Sequence, residues 1–292
     1  MVRIHDADTS VSIDPDFGNN ARSMLVRGQE FIWTPQPWTA PALGGVPLLA
    51  PWANRLDGES YLANGNRYLL NAGLGNLRFD AHHLPIHGLL AFANEWHVVR
   101  LEPSSVTSRL DFWRSAKRMA QFPFAHAIEM THRVTANTLQ IETAVENLCD
   151  EPIPLCIGYH PYFQLTDSPR DEWKVRIAVR QQVGLSDKFI PTTERKAFDP
   201  DSPVTLAGTA FDTVFTDLTG GDFSIEGRSQ RISVRFGPKF PVAIVYAPPE
   251  RSFVCIEPMT ALTNAFNDPA SALQHVAPGE TWRESFWISV DR

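Results

Sequence analysis

Apolar and polar residues alternate with a period of two along much of this chain. Leu139, Ile141, Thr143 and Val145 fall on one side of an extended backbone, with Gln140, Glu142 and Glu146 on the other. Successive side chains of a strand point to opposite faces, so this pattern predicts a strand with one face buried. Trp173, Val175, Ile177 and Val179 alternate with Lys174 and Arg176 in the same way, and Ile232, Val234 and Phe236 with Arg231, Ser233 and Arg235. Val242 to Tyr246, Ser252 to Ile256 and Thr281 to Val290 predict further strands. No long stretch carries the 3.6-residue repeat of an amphipathic helix, while 23 prolines and 17 glycines punctuate the sequence. The expected fold class is therefore all-β, a large twisted antiparallel β-sandwich with sizeable loops. A chain of 292 residues has the length for two domains, but no linker, repeat or low-complexity tract divides it. One domain over residues 1–292 is expected.

The stretch from Pro35 through Pro51 is different. With Trp38 and Gly44-Gly45 inside it and Trp33 and Trp52 beside it, it is too irregular for a strand and too apolar for a disordered linker. It is expected to pack as a loop, either beside a site or simply over core.

Composition narrows the function classes. The formal net charge is −7 and the basic residues are scattered, which argues against nucleic acid as a partner. Three cysteines, Cys149, Cys156 and Cys255, show neither even pairing nor a CxxC spacing, so they are expected to be buried thiols. The N-terminus lacks the charged-then-apolar layout of a signal peptide, and no apolar run approaches the ~20 residues that span a bilayer. A soluble cytoplasmic protein without membrane contact is expected.

Candidate chemistry centres on Ile157-Gly158-Tyr159-His160-Pro161-Tyr162-Phe163-Gln164-Leu165. Pro161 fixes its own φ and pushes His160 toward an extended backbone, so the imidazole projects from a stiff bend among aromatic rings. About a hundred residues on, an apolar strand is expected to deliver Glu257 at its end, followed by Pro258, Thr260, Asn264 and Phe266. An imidazole and a carboxylate, each held before a proline, suit acid/base chemistry. The plainer alternatives are a hydrogen-bonded core histidine for His160 and a structural salt bridge for Glu257.

Other polar residues join them. Arg55 offers a planar fork of donors and Asn54 both donates and accepts, which suits a polyol, although Asp57 and Glu59 are near enough in sequence to pair with Arg55. His87 precedes Gly88, whose missing side chain lets a ligand or backbone come close. His83 and His87 have the spacing of a zinc-binding helix face, but Pro85 between them disfavours that helix, and no metal site is expected there. Asp212 stands in Phe211-Asp212-Thr213-Val214-Phe215.

Five segments taken in order resemble the aldose 1-epimerase (galactose mutarotase) family: Pro51-Trp52-Ala53-Asn54-Arg55-Leu56, Ile86-His87-Gly88-Leu89-Leu90, Gly158-Tyr159-His160-Pro161-Tyr162-Phe163, the Asp212 segment and Cys255-Ile256-Glu257-Pro258. Each is short; their shared order over most of the chain is what carries the resemblance. The resemblance implies a two-sheet sandwich whose concave face holds a sugar. Glu257 would be the base that takes the anomeric proton and His160 the acid that protonates the ring oxygen, from opposite sides, while His87 bonds the sugar near that oxygen and Asp212 bonds a hydroxyl. No metal, nucleotide or other cofactor is implied. Trp33, Trp38, Trp52, Tyr162 and Phe163 are candidates to stack on the sugar.

Leu89 and Gln164 depart from the usual glycine and asparagine of the galactose mutarotase pattern, and Phe122-Pro123-Phe124 and His87-Gly88-Leu89 resemble a divergent bacterial branch that includes proteins acting on hexose 6-phosphates. A hexose mutarotase is the first expectation; a hexose-6-phosphate epimerase and a non-catalytic carbohydrate-binding protein are the alternatives. Arg114, Lys117 and Arg118, the nearest basic cluster, read as a solvated loop, which favours a neutral sugar.

Overall fold

The computed structural model describes residues 1–39 and 42–291; Ala40 and Pro41 of the proline-rich stretch, and Arg292, lie outside the described residues. The alternating segments become antiparallel strands in two large sheets of nine and eight strands, with a four-stranded N-terminal sheet alongside. The nine-stranded sheet is centred on Arg231–Phe236, Thr281–Asp291, Thr138–Asn147 and His126–Thr135. The eight-stranded sheet runs through Phe211–Leu218, Val242–Ala247 and Val254–Met259 to Gly158–Tyr159 and Leu48–Leu49.

A contiguous core lies between these sheets. Ile141, Ile232, Val234, Phe286 and Ile288 enter it from one side, and Phe215, Val245, Val254 and Ile256 from the other. Burying one such side chain contributes ~1.5–3 kcal/mol, which fixes the register, because a one-residue slip would turn every one of them outward. The same alternation places Asp212 and Val214, Ile244 and Tyr246, and Cys255, Glu257 and Met259 on the opposite, outer face of the eight-stranded sheet. That face is itself partly covered: Leu49, Ala53, Val183, Val214, Val242, Ile244 and Met259 form a second apolar cluster. A strand buried on both faces needs no polar alternation, which explains the unbroken apolar run leading to Glu257.

Several details differ from the sequence expectation. The strand expected over Trp173 to Val179 is two: Lys174–Arg176 joins the nine-stranded sheet and Val179–Leu185 the eight-stranded one. The chain crosses the sandwich at the buried residues Ile177 and Ala178, so the alternation continues while the sheet changes. Glu257 lies inside the strand Val254–Met259, opposite Ile244, and not at its end. The described part of the proline-rich stretch is not all loop. Leu48–Leu49 pairs with Gly158–Tyr159, and the Pro47 and Gly45 carbonyls accept from the His160 and Tyr162 amides at 3.1 and 2.9 Å.

Cys156 and Cys255 are buried as expected, but Cys149 is only half-buried, its thiol donating to Asn147 Oδ1 at 2.9 Å. Arg114, Lys117 and Arg118 do not form a solvated loop. They occupy a turn and the short helix Ala116–Gln121, where Arg118 is buried against Glu95 at 2.9 Å and Arg114 pairs with Asp111 at 3.0 Å. Among the described residues no helix is long and apolar enough to cross a membrane.

Candidate active site

Three neighbouring strands build the floor of a pocket of about 210 Å³ on the outer face of the eight-stranded sheet. Asp212 lies opposite Tyr246 and Ile244 opposite Glu257, so alternation and register alone bring these four side chains to one patch. His160 and Tyr162 arrive from the bend at Pro161, and Asn54, Arg55, Ile86 and His87 from two loops that meet in an isolated bridge between Arg55 and Ile86. All six polar residues singled out from the sequence, Asn54, Arg55, His87, His160, Asp212 and Glu257, line this one pocket.

The loops are held tightly. Asn54 and His87 both adopt left-handed backbone, with φ of 54° and 64°, and the His87 amide donates to the Asn54 carbonyl at 2.9 Å. Gly88 admits backbone rather than ligand, since a Cβ there would lie 2.2 Å from the Ala50 carbonyl oxygen. Arg55 pairs with neither Asp57 nor Glu59. Its Nε donates to Asp80 Oδ2 at 2.7 Å, and its guanidinium lies 4.7 Å from the Phe189 ring centre. Burial alone would raise the Asp80 carboxyl, but the Leu84 and His82 amides and Arg55 outweigh it and hold it below the usual carboxylate range.

His160 Nε2 lies 3.4 Å from Glu257 Oε1, with the Glu257 side chain 1% exposed. The two groups are in contact with one another. The imidazole is stacked on Tyr162 at 4.6 Å and meets His87 edge-on at 5.5 Å. Buried polar atoms normally have partners, yet His160 Nδ1, His87 Nδ1 and Glu257 Oε2 are buried without a hydrogen bond. An unsatisfied buried group costs ~1–3 kcal/mol, and such a cost persists where a site is built for something else to bind.

Electrostatics favour neutral forms here. Burial pushes His160 down to about 3, and the charges of Arg78 and Arg55 act in the same direction. Burial and the nearby Asp212 raise Glu257 well above the usual range, against the pull of Arg55. His87 is lowered too, by burial first, then by the neighbouring His160 and by the Arg78 and Arg55 charges. Asp212 keeps solvent contact at the mouth, yet crowding on the pocket side raises its carboxyl too, opposed by Arg55. The buried pair of His160 and Glu257 thus favours neutral imidazole beside protonated carboxyl, and that state still contains one donor and one acceptor.

Of the five aromatic candidates, Tyr162 alone lines the pocket. Trp33 packs behind it, 5.8 Å away, Trp38 lies against Arg22 and Phe17, and Trp52 and Phe163 are core. His82 and His83 are exposed on a turn apart from the pocket. Sequence reasoning missed Tyr246, Ile86, Ile244, Asp80, Arg78 and Phe189. Tyr246 and Ile244 were legible as outward positions of a predicted strand once its inward face was known; Asp80 is 25 residues from Arg55 and no short motif links them.

Comparison with known proteins gives a consistent result. The family model described as aldose 1-epimerase matches residues 2–289. The Escherichia coli K12 protein YihR, described as uncharacterized, is 25% identical over 258 residues, 86% of this chain and 80% of its own length. A galactose mutarotase-like protein from Clostridium acetobutylicum superposes with a TM-score of 0.87 at 20% identity, covering 99% of this chain and 94% of that one. Galactose 1-epimerase from Lactobacillus acidophilus superposes with a TM-score of 0.75 at 12% identity, covering 98% and 92%. With its sandwich, its outer-face pocket and a family match over nearly its whole length, the chain belongs to the aldose 1-epimerase family.

Proposed function

We propose that this protein interconverts the α and β anomers of an uncharged aldose, a hexose first of all, by acid/base ring opening and reclosure. The observation that carries this reading is the buried 3.4 Å contact between His160 Nε2 and Glu257 Oε1 in a pocket lined by hydroxyl-binding groups. Ring opening removes a proton from the anomeric hydroxyl, adds one to the ring oxygen and breaks the bond between the anomeric carbon and that oxygen. Both oxygens are attached to the same carbon. The acid and the base therefore belong side by side, and a pair that shares one proton presents one of each.

In the working complex Glu257 takes the anomeric proton while His160 delivers one to the ring oxygen. The ion pair this requires gains support from sugar hydroxyls and from the Arg55 charge, which already favours ionised Glu257. Rotation about the bond to the freed aldehyde exposes its other face, and the same transfers in reverse close the ring. Arg55 and Asn54 donate to hydroxyls, Asp212 accepts, and His87 sits 5.5 Å from His160 where it can bond the ring-oxygen side.

Charge supports a neutral substrate over a sugar phosphate. A dianion in the pocket would meet Asp212 and Glu257, and Arg55 is already bonded to Asp80. Arg114 and Arg118 line a different cavity, beside Asp111 and Glu95. Binding alone would not need an acid and a base in contact, which disfavours a non-catalytic lectin-like role. Polarimetry on freshly dissolved α-anomers, free hexoses against their 6-phosphates, tests the reading: acceleration of the neutral sugar supports it, and acceleration confined to the phosphate replaces it with the phosphate epimerase.

A further inference from the structure

Cys255 has no part in the proton transfers above, yet it is placed among them. It lies opposite both Tyr162 and Tyr246 in the sheet register and shares the outward face of its strand with Glu257. Its Sγ, a ring nitrogen of His160 and a carboxylate oxygen of Glu257 all lie within 4.8 Å of one another, and all three residues are buried. We propose that Cys255, His160 and Glu257 form an inhibitory site for a thiophilic divalent cation of the Zn²⁺ type, which the reaction does not need and which arrests the enzyme when it binds.

The donor set and its spacing carry the inference. One sulfur, one imidazole nitrogen and one carboxylate oxygen suit Zn²⁺ and its thiophilic relatives and are poorly matched to Mg²⁺ or Ca²⁺, which prefer oxygen. Two ligands each ~2.0–2.1 Å from a shared ion at a tetrahedral angle stand about 3.3 Å apart. His160 Nε2 and Glu257 Oε1 stand 3.4 Å apart without an ion. The sulfur needs a longer bond, ~2.3 Å, and a modest inward movement of the Cys255 side chain supplies it. Three protein ligands leave a fourth position for water on the pocket side, and the buried Glu257 Oε2 and His160 Nδ1 have no hydrogen bond that binding would break. On binding, the Cys255 thiol proton and the Glu257 carboxyl proton both leave to solvent. The ion then holds the lone pairs of both transfer groups, so sugar and metal exclude one another.

The inhibition rests on the proposed reaction; the binding does not. The direct test loads the purified protein with Co²⁺ as a spectroscopic stand-in for Zn²⁺ and follows the near-ultraviolet sulfur-to-cobalt charge-transfer band, alongside competition for Zn²⁺ with a chromogenic chelator. One equivalent is expected to bind with a thiolate signature, and Zn²⁺ is expected to inhibit mutarotation competitively with sugar. Changes outside the ligand set alone cost ~10–100-fold in metal affinity, so Cys255→Ser and Cys255→Ala should each lose at least tenfold in Zn²⁺ affinity while mutarotation without metal persists. Because Cys149 is the more accessible thiol, Cys149→Ser is the control and should retain the band. A band that survives in both Cys255 variants, a band abolished by Cys149→Ser, or no thiolate band in a protein that turns over sugar overturns the metal site. A thiolate band that depends on Cys255, in a protein that accelerates no sugar's mutarotation, leaves the metal site standing and refutes the reaction.

Discussion

His160 Nε2 and Glu257 Oε1 lie 3.4 Å apart although the residues are 97 positions apart in sequence and reach the pocket on different elements, one from a proline-stiffened bend and one from mid-strand. Tyr162 stacks on the imidazole at 4.6 Å, and the Glu257 side chain is buried within its strand.

Glu257→Gln and His160→Asn should each cut mutarotation ~10²–10⁴-fold, the usual contribution of a positioned acid or base, with an unchanged far-ultraviolet circular dichroism spectrum. Each substitution keeps the shape and removes proton exchange. Near-normal turnover in either variant would count against proton transfer through this pair.

Arg55 is held by Asp80 and stacked near Phe189, a geometry that a lysine cannot reproduce. Losing a hydrogen bond to a charged group costs ~1.5–3 kcal/mol, so Arg55→Lys should raise KM by roughly 10-fold or more with a smaller change in kcat. Asp80→Asn keeps the Arg55 charge and slackens only its placement, so its KM should fall between the two. Steady-state kinetics on both variants would show whether Arg55 binds substrate or only braces the loop.

Gly88→Ala should destabilise the protein and weaken catalysis together. Gly88 has φ of +62°, and an added Cβ would meet the Ala50 and Trp52 carbonyl oxygens at 2.2 and 2.9 Å. The left-handed backbone alone costs ~1–3 kcal/mol for such a residue, and relief of the clash must move His87. Urea unfolding and kinetics measured on the same preparation check both effects.

Two core histidines make folding sensitive to acid. Burial lowers His126 and His132 to about 4, His126 while stacked on Phe112 at 4.2 Å and His132 with neither ring nitrogen bonded. The unfolded chain takes up these protons near pH 6.5 and the folded one only near 4, so the stability they contribute is complete above 6.5 and is lost as pH falls toward 4. At 1.36 kcal/mol per pH unit the loss is on the order of 3 kcal/mol for each. Urea midpoints should fall between pH 7 and 5, and His132→Leu should flatten that slope; an unchanged slope would mean that His132 does not control it.

The strands and the membership of the site were legible because each leaves a local trace. Alternation at Leu139 to Val145 or Ile232 to Phe236 reflects one buried face, and Pro161 after His160 marks a bend. What stayed hidden depended on which face of a strand meets which neighbour. The Trp173 to Val179 alternation is blind to the change of sheet at Ile177, because both halves bury the same side. Tyr246 joined the site only through its register with Asp212, and Asp80 only through the fold of an intervening loop. The contact between His160 and Glu257 followed from neither motif, since sequence order carries no distance.

The most direct test of the account is the rate at which a freshly dissolved α-hexose reaches anomeric equilibrium, followed by polarimetry with catalytic amounts of the protein and of Glu257→Gln at the same concentration. The account predicts a rate that rises in proportion to wild-type protein, approaches the uncatalysed rate with the variant, and favours the free hexose over its 6-phosphate. Wild-type protein that leaves every neutral aldose at its spontaneous rate would contradict it.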